Sequence, residues 1–359
     1  MKSKQWSLLF LVLTVATLGL LAGLTAVIDP FFHYHAPLKA LSYPLDWDSQ
    51  RYLNDGVIRN FDYDAMITGT SMTEYFKSSE CDTLFGVNSI KVPFSGASFT
   101  ELNNNIRQAI KHNPHLKFVF CSIDDGRLYQ EPGYMRYDCP DYLYDDSLLN
   151  DVQYLLNKEV LCSSTILVLR YTRSGAEPGT FDDYHSDWGD VSGAPGYSKA
   201  DILSRYSRVP IADTPQILTE QLRQRVTDNL TDNTVALARE NPDIQFYYFY
   251  PPYSLLYWDQ LDRSGTLERE LETFRLTSQI LTGIENIHLF SFYTDFETIT
   301  DFSNYHDPLH FSTDINTLIL SRMARGEYEL TPENYEAHWQ AVADFYRSYG
   351  YDEIYKEEA

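Results

Sequence analysis

From Asp64 to Asp124 the chain alternates between short apolar runs and helix-like stretches, and this alternation limits the fold more than any other feature of the sequence. "YDAMITG" reads as a buried strand and "SMTEYFKSS" as the start of the helix that follows it. "VNSIKVPFSG" is a second strand, ending at Gly96. In "SFTELNNNIRQAIKHNP", Ser98 and Glu101 have capping-box spacing, Phe99, Leu102, Ile106 and Ile110 form an apolar stripe, and Pro114 stops the helix. "LKFVFCSID" is apolar without interruption, as a central strand covered on both faces must be. Strand, helix, strand, helix, strand predicts an α/β fold: a three-layer α/β/α sandwich on a mainly parallel sheet.

The same pattern resumes later. A helix is expected from Thr214, with Pro215 in its first turn, and "IQFYYFYPPYS" is a strand stopped by Pro251 and Pro252. "TLERELETFRLTSQILTG" is an amphipathic helix closed by Gly283, and "NIHLFSF" is the last expected strand. Residues 61–322 therefore form the α/β domain, with an insertion at about 126–213 rich in Tyr, Asp, Gly and Pro, which is expected to shape the substrate site. Residues 323–359 read as a C-terminal helical extension ending in an acidic, solvated tail.

Residues 1–28 contain Lys2 and Lys4 followed by the uncharged run Trp6 to Ile28, a length suited to one membrane-spanning helix that places the rest of the chain outside the cytoplasm. A cleaved signal peptide is the competing reading, against which stand the length of the run and the poor exit site at Leu24-Thr25-Ala26. Residues 29–60, with Pro30, Pro37, Pro44 and many aromatics, read as a membrane-proximal connector packed onto the domain. A net charge of -23, from 28 basic and 51 acidic residues, excludes a nucleic-acid partner. Cys81, Cys121, Cys139 and Cys162 permit up to two disulfides but have no CxxC spacing for zinc or redox chemistry.

The chemistry centres on "GTSM", where a strand breaks at Gly69 to Ser71. Ligands of parallel α/β sheets bind at the carboxyl ends of the strands, and Ser71 falls at such an end. Gly69 permits the tight turn, and the amides after Ser71 are expected at a helix N-terminus, aimed at an oxyanion. Serine needs a base, which His310 supplies, and "DPLH" puts Asp307 three residues earlier, where its carboxylate holds the imidazole tautomer. Gly96 ends the next strand and offers a second oxyanion donor, beside the Ser71 amide.

These motifs resemble the SGNH/GDSL hydrolase superfamily, with its SGNH/flavodoxin-like fold, and especially its membrane-anchored cell-surface branch, which includes alginate O-acetylation and teichoic acid D-alanylation proteins. "GTSM" is similar to the first block and carries Ser71, Gly96 corresponds to the second, and "DPLH" to the last. The resemblance covers roughly Asp64 to Asp124 and Ile244 to Arg322. Thr70 stands where many members have Asp, and the third block, normally Gly-x-Asn-Asp, is "SIDD", Ser122 to Asp125, so the asparagine donor is missing. The resemblance implies a bacterial, extracytoplasmic, membrane-anchored serine esterase or O-acyltransferase, with Ser71, His310 and Asp307 as triad and no cofactor or metal. It also implies a cell-surface glycan or teichoic acid as substrate and polymer-export or acyl-transfer membrane proteins as partners. The acidic chain by itself favours a neutral glycan.

Two other readings stand beside this one. The departures in the third block suit a catalytically inactive scaffold serving a surface-polymer machine. His306, Asp307 and His310 with Asp124 and Asp125 suit a metal-dependent hydrolase, although these residues have no HxH or HExxH spacing to fix two ligands on one face. Asp124, Tyr253 and Trp258 are expected to contact substrate, the two aromatics by stacking on sugar rings.

Overall fold

A computed structural model describes residues 3–45, 47–124, 126–183 and 193–356; Asp125 and the middle of the expected insertion lie outside the described residues. The sheet comprises β1 (Ala65–Thr68), β2 (Ser89–Lys91), β3 (Phe118–Ser122), β4 (Gln245–Tyr250), β5 (Ile287–Ser291) and β6 (Glu329–Leu330), in the spatial order β2-β1-β3-β4-β5-β6. β1 to β5 are parallel, with Ala65 opposite both Ser89 and Phe118, and Tyr247 opposite both Phe120 and His288. β6 is a short antiparallel edge, pairing Leu330 with Leu289, and was not foreseen because two residues carry no readable period.

Every residue of β1 is buried, which is why Ala65, Met66 and Ile67 are apolar in succession rather than alternating, with the Thr68 hydroxyl donating to the Val92 carbonyl. Two crossover helices follow, α3 (Ser78–Phe85) between β1 and β2 and α4 (Phe99–His112) between β2 and β3. The chain steps one way along the sheet after β1 and the other way after β2. Right-handed crossovers therefore put α3 and α4 on opposite faces, giving the expected three layers. The capping box of α4 forms as expected: the Glu101 amide donates to Ser98 Oγ at 3.2 Å and the Ser98 amide to Glu101 Oε2 at 2.8 Å.

Four expectations need correction. α3 begins at Ser78, because Ser71–Thr73 is an isolated 3-10 turn. The helix expected from Thr214 starts at Glu220 with Thr219 as its cap, and the Gln216 amide donates to the Gly265 carbonyl instead of joining a helical ladder. None of the four cysteines is joined in a disulfide among the described residues. Residues 29–60 are more than a connector, because they include the helix α2 (Gln50–Asn60) and belong to a compact unit of Met1–Asp62 with Asp138–Asp183. That unit is organised by Asp29, whose carboxylate accepts the amides of His33, Tyr34 and His35 and the hydroxyl of buried Tyr154. Gly56 is required in α2, since a Cβ there would stand 2.0 Å from the Phe31 carbonyl oxygen.

The second unit, Tyr63–Tyr137 with Tyr184–Ala359, holds the sheet. Its largest aromatic cluster includes Trp258, which is fully buried and stacks on Tyr346 of the helix Tyr335–Ser348 with ring centroids 3.7 Å apart. Trp258→Ala should therefore destabilise the protein by about 3–5 kcal/mol, read as a lowered urea midpoint; a loss within about 0.5 kcal/mol, typical of surface sites, would show that the ring is not part of the core.

Candidate active site

The strand order reverses between β1 and β3, and at such a point the loops leaving the carboxyl ends diverge and open a crevice. Ser71 lies just past β1 and Asp124 just past β3. Gly69 has φ +137°, and a Cβ on it would meet Ser122 Oγ at 2.7 Å and the Thr73 side chain at 2.9 Å, so the turn into Ser71 requires glycine. Thr70, rather than Ser71, caps the 3-10 turn, accepting the Met72 amide on Oγ1. The Ser71 side chain is thereby left out of local capping.

His310 comes from a tight loop closed by the antiparallel bridge between Tyr305 and Phe311 and by the His306 amide donating to the His310 carbonyl at 2.9 Å. Ser254 donates to the Pro308 carbonyl from both its amide and its hydroxyl, at 3.1 and 2.9 Å, and Tyr305 donates to the Pro252 carbonyl at 2.6 Å. The segment after β4 thus pins the loop. Ser71 and His310 are 239 positions apart, yet α3 and the helix Thr313–Ala324 that follow them pack together, and Thr317 Oγ1 donates to Glu80 Oε2 at 2.7 Å.

The result is a chain of short contacts. Ser71 Oγ lies 2.8 Å from His310 Nε2, and His310 Nδ1 lies 2.7 Å from Asp307 Oδ2. Asp307 Oδ1 accepts the amides of Leu309 and His310 at 2.8 and 2.9 Å. Burial raises the Asp307 pKa, but the hydrogen bond and charge of His310 and the two amides outweigh it and hold the carboxyl below its ordinary range. An ionised carboxylate only accepts, so Nδ1 is the donor and Nε2 is left to accept the Ser71 hydroxyl proton.

The amides of Ser71 and Gly96 make no hydrogen bond among the described residues. Gly96 has φ +65°, and a Cβ there would meet Tyr137 at 2.9 Å. Its loop follows β2 and is tied to β1 by the Phe94 amide donating to the Gly69 carbonyl at 2.8 Å, and Arg136 Nη1 donates to the Gly96 carbonyl at 3.0 Å. On the other side, Arg205 Nη1 donates to the His306 carbonyl at 2.9 Å. Both arginines come from the expected insertion. Sequence reasoning did not single them out, because surface arginines carry no local signal of what they hold.

Asp124, Tyr253 and Trp258 do not offer substrate contacts in this conformation. Asp124 is buried, and its carboxylate accepts Thr70 Oγ1 at 2.9 Å, Ser122 Oγ at 2.8 Å and the Tyr253 hydroxyl at 3.0 Å. Tyr253 is 1% and Trp258 0% exposed, so neither ring presents a face to a sugar. Trp258 lies in a core helix, Leu255–Arg263, and Tyr253 lies just before it. Among the described residues no group of three His, Cys, Asp or Glu side chains is arranged to hold a metal ion.

No protein-family model and no curated protein matches the chain. Among solved structures it is similar to a protein provisionally described as a platelet activating factor from Streptococcus pneumonia, at 11% identity and a TM-score of 0.39, over 78% of this chain and 92% of that one. A likeness at that level carries no argument about chemistry, which rests on the contacts above.

Two measurements check this geometry. Asp124→Asn puts an amide N–H where a hydroxyl now donates, and should cost about 2–4 kcal/mol of stability in chemical denaturation; an unchanged midpoint would remove Asp124 as the brace of the Ser71 turn. The folded pKa of Asp307 lies below its unfolded value, so its stabilisation is complete above about pH 4 and is lost as pH falls through the lowered value. Asp307→Asn should accordingly be less stable than the parent at neutral pH and lose less stability on acidification. Parallel acid dependences for the two proteins would contradict that assignment.

Proposed function

We propose that the protein is a serine esterase or O-acyltransferase of SGNH type, anchored by its N-terminal helix α1 (Ser3–Ile28) with the α/β domain outside the cytoplasm, acting on acyl groups of a cell-surface polysaccharide or teichoic acid. The observation that carries the reading is the 2.8 Å contact of Ser71 Oγ with His310 Nε2 while Nδ1 is held by Asp307. α1 is long and apolar enough to span a membrane or to be a signal sequence, and the anchor is the reading adopted here.

In this mechanism Ser71 Oγ attacks the ester carbonyl as His310 Nε2 takes its proton, and the imidazolium is stabilised by Asp307. The amides of Ser71 and Gly96 receive the negative charge that develops on the carbonyl oxygen. His310 returns the proton to the leaving alcohol, freeing it and leaving the acyl group on Ser71. Water then completes an esterase cycle; a sugar or polyol hydroxyl completes a transfer.

One observation favours a second reading, an inactive scaffold in a surface-polymer assembly. The asparagine donor of the third block is replaced by Asp124, whose oxygens are taken up by Thr70, Ser122 and Tyr253 and which offers no donor to an oxyanion.

A fluorophosphonate probe and p-nitrophenyl acetate separate the two. The esterase reading expects covalent labelling at Ser71 and hydrolysis that falls by about a thousandfold or more in Ser71→Ala and His310→Ala, both folded. Absence of both labelling and turnover in the parent would favour the scaffold.

A further inference from the structure

The unit of Met1–Asp62 with Asp138–Asp183 carries an unusual concentration of exposed apolar side chains outside α1. Leu149 is 95%, Leu148 74% and Val152 55% exposed, and Ile166, Leu167 and Leu169 are exposed on the helix Ile166–Ser174. Scattered single apolar residues need no explanation, whereas a cluster of this kind marks a surface that meets something.

The position of the cluster says what it meets. The short helix Val152–Leu155 and the π-helical turn Val160–Thr165, which lead into it, both pack against α1. The buried residues of α1, Thr25 and Ile28, lie in its last turn, the end of the apolar run. A hydrocarbon core about 30 Å thick takes up about 20 helical residues, so if Trp6 to Ile28 fills the bilayer, whatever packs on Thr25 and Ile28 stands at its surface. Exposed Val152 belongs to one of the segments packed on α1, and the helix Ile166–Ser174 continues directly from the other. Arg170 and Arg173, exposed on the same helix, meet no carboxylate among the described residues of a chain with net charge -23. An exposed face on which Arg170 and Arg173 stand among Ile166, Leu167 and Leu169 fits the boundary between acyl chains and anionic headgroups.

We propose that residues 148–173 form a second membrane contact, lying in the headgroup layer of an anionic phospholipid bilayer beside the emerging α1. The patch makes the unit a seat on the lipid surface in place of a flexible tether. The proposal rests on α1 being a retained membrane span and is independent of the chemistry assigned to Ser71.

The exposed thiol of Cys162, within the patch, gives a native probe. Full-length protein carrying Cys139→Ser is labelled at Cys162 with an environment-sensitive fluorophore and reconstituted into phosphatidylcholine and phosphatidylglycerol vesicles containing nitroxide-labelled lipid. Leu20→Cys, made with Cys139→Ser and Cys162→Ser, reports the apolar interior of α1. The expected result is a blue-shifted Cys162 probe, quenched more by nitroxide near the headgroup than at the chain end, as a depth of about 5–10 Å requires. The Leu20 position should be quenched more by the deep nitroxide. A solvent-like Cys162 probe with a quenched Leu20 probe overturns the second contact and leaves the anchor standing. If Leu20 is unquenched as well, the anchor reading fails and this proposal falls with it.

Discussion

One buried carboxylate ties together the three chain segments on which the site depends. Asp124 follows β3, Thr70 follows β1 and Tyr253 follows β4, and the hydroxyls of Thr70 and Tyr253, with that of Ser122, all converge on it. Burying a charge is costly unless it is fully hydrogen-bonded, and this one is bonded on both oxygens. The carboxylate therefore fixes the spacing of adjacent strand ends where the sheet order reverses. Ser71 inherits its position from Thr70, and the loop of His310 inherits its position from the segment of Tyr253 through Ser254 and Pro308.

The supports around this centre are mostly bonds to backbone, which lose less to side-chain motion than pairs of long side chains do. Lys91 Nζ donates to the Glu74 carbonyl at 2.7 Å, tying the Ser71 turn to β2. Asn105 Nδ2 of α4 donates to Thr68 Oγ1 at 3.0 Å and to the Val92 carbonyl at 2.9 Å, joining the ends of β1 and the chain beyond β2. A site held in this way keeps its geometry before any substrate arrives.

The features legible in the sequence were those written in local pattern. The alternation that gave β1, α4 and β3 and the capping box are short-range signals, and they describe the sheet well. Ser71, Asp307 and His310 were legible as candidates because Gly69 and the Asp-Pro-Leu-His spacing are local too, and the structure brings the three within hydrogen-bonding distance. Long-range consequences were not legible. Asp124 meets Thr70 and Tyr253 across 54 and 129 positions, so an acid that looked available is fully occupied. Trp258 looked like a surface aromatic after a loop, but it is covered by Tyr346, from a helix whose packing no local pattern announces. The proline-rich stretch after α1 hid a helix because its partners, such as Tyr154, lie in a segment more than a hundred residues away.

The two edges of the sheet also bear on how the protein behaves among its neighbours. β2 is three residues long and β6 two; Lys91 of β2 is buried, and Glu329 of β6 is paired with His288. Such short edge strands are poor templates for a further strand. Crowded copies of the chain would accordingly find little unsatisfied sheet through which to polymerise, although the parallel sheet between those edges is five strands wide.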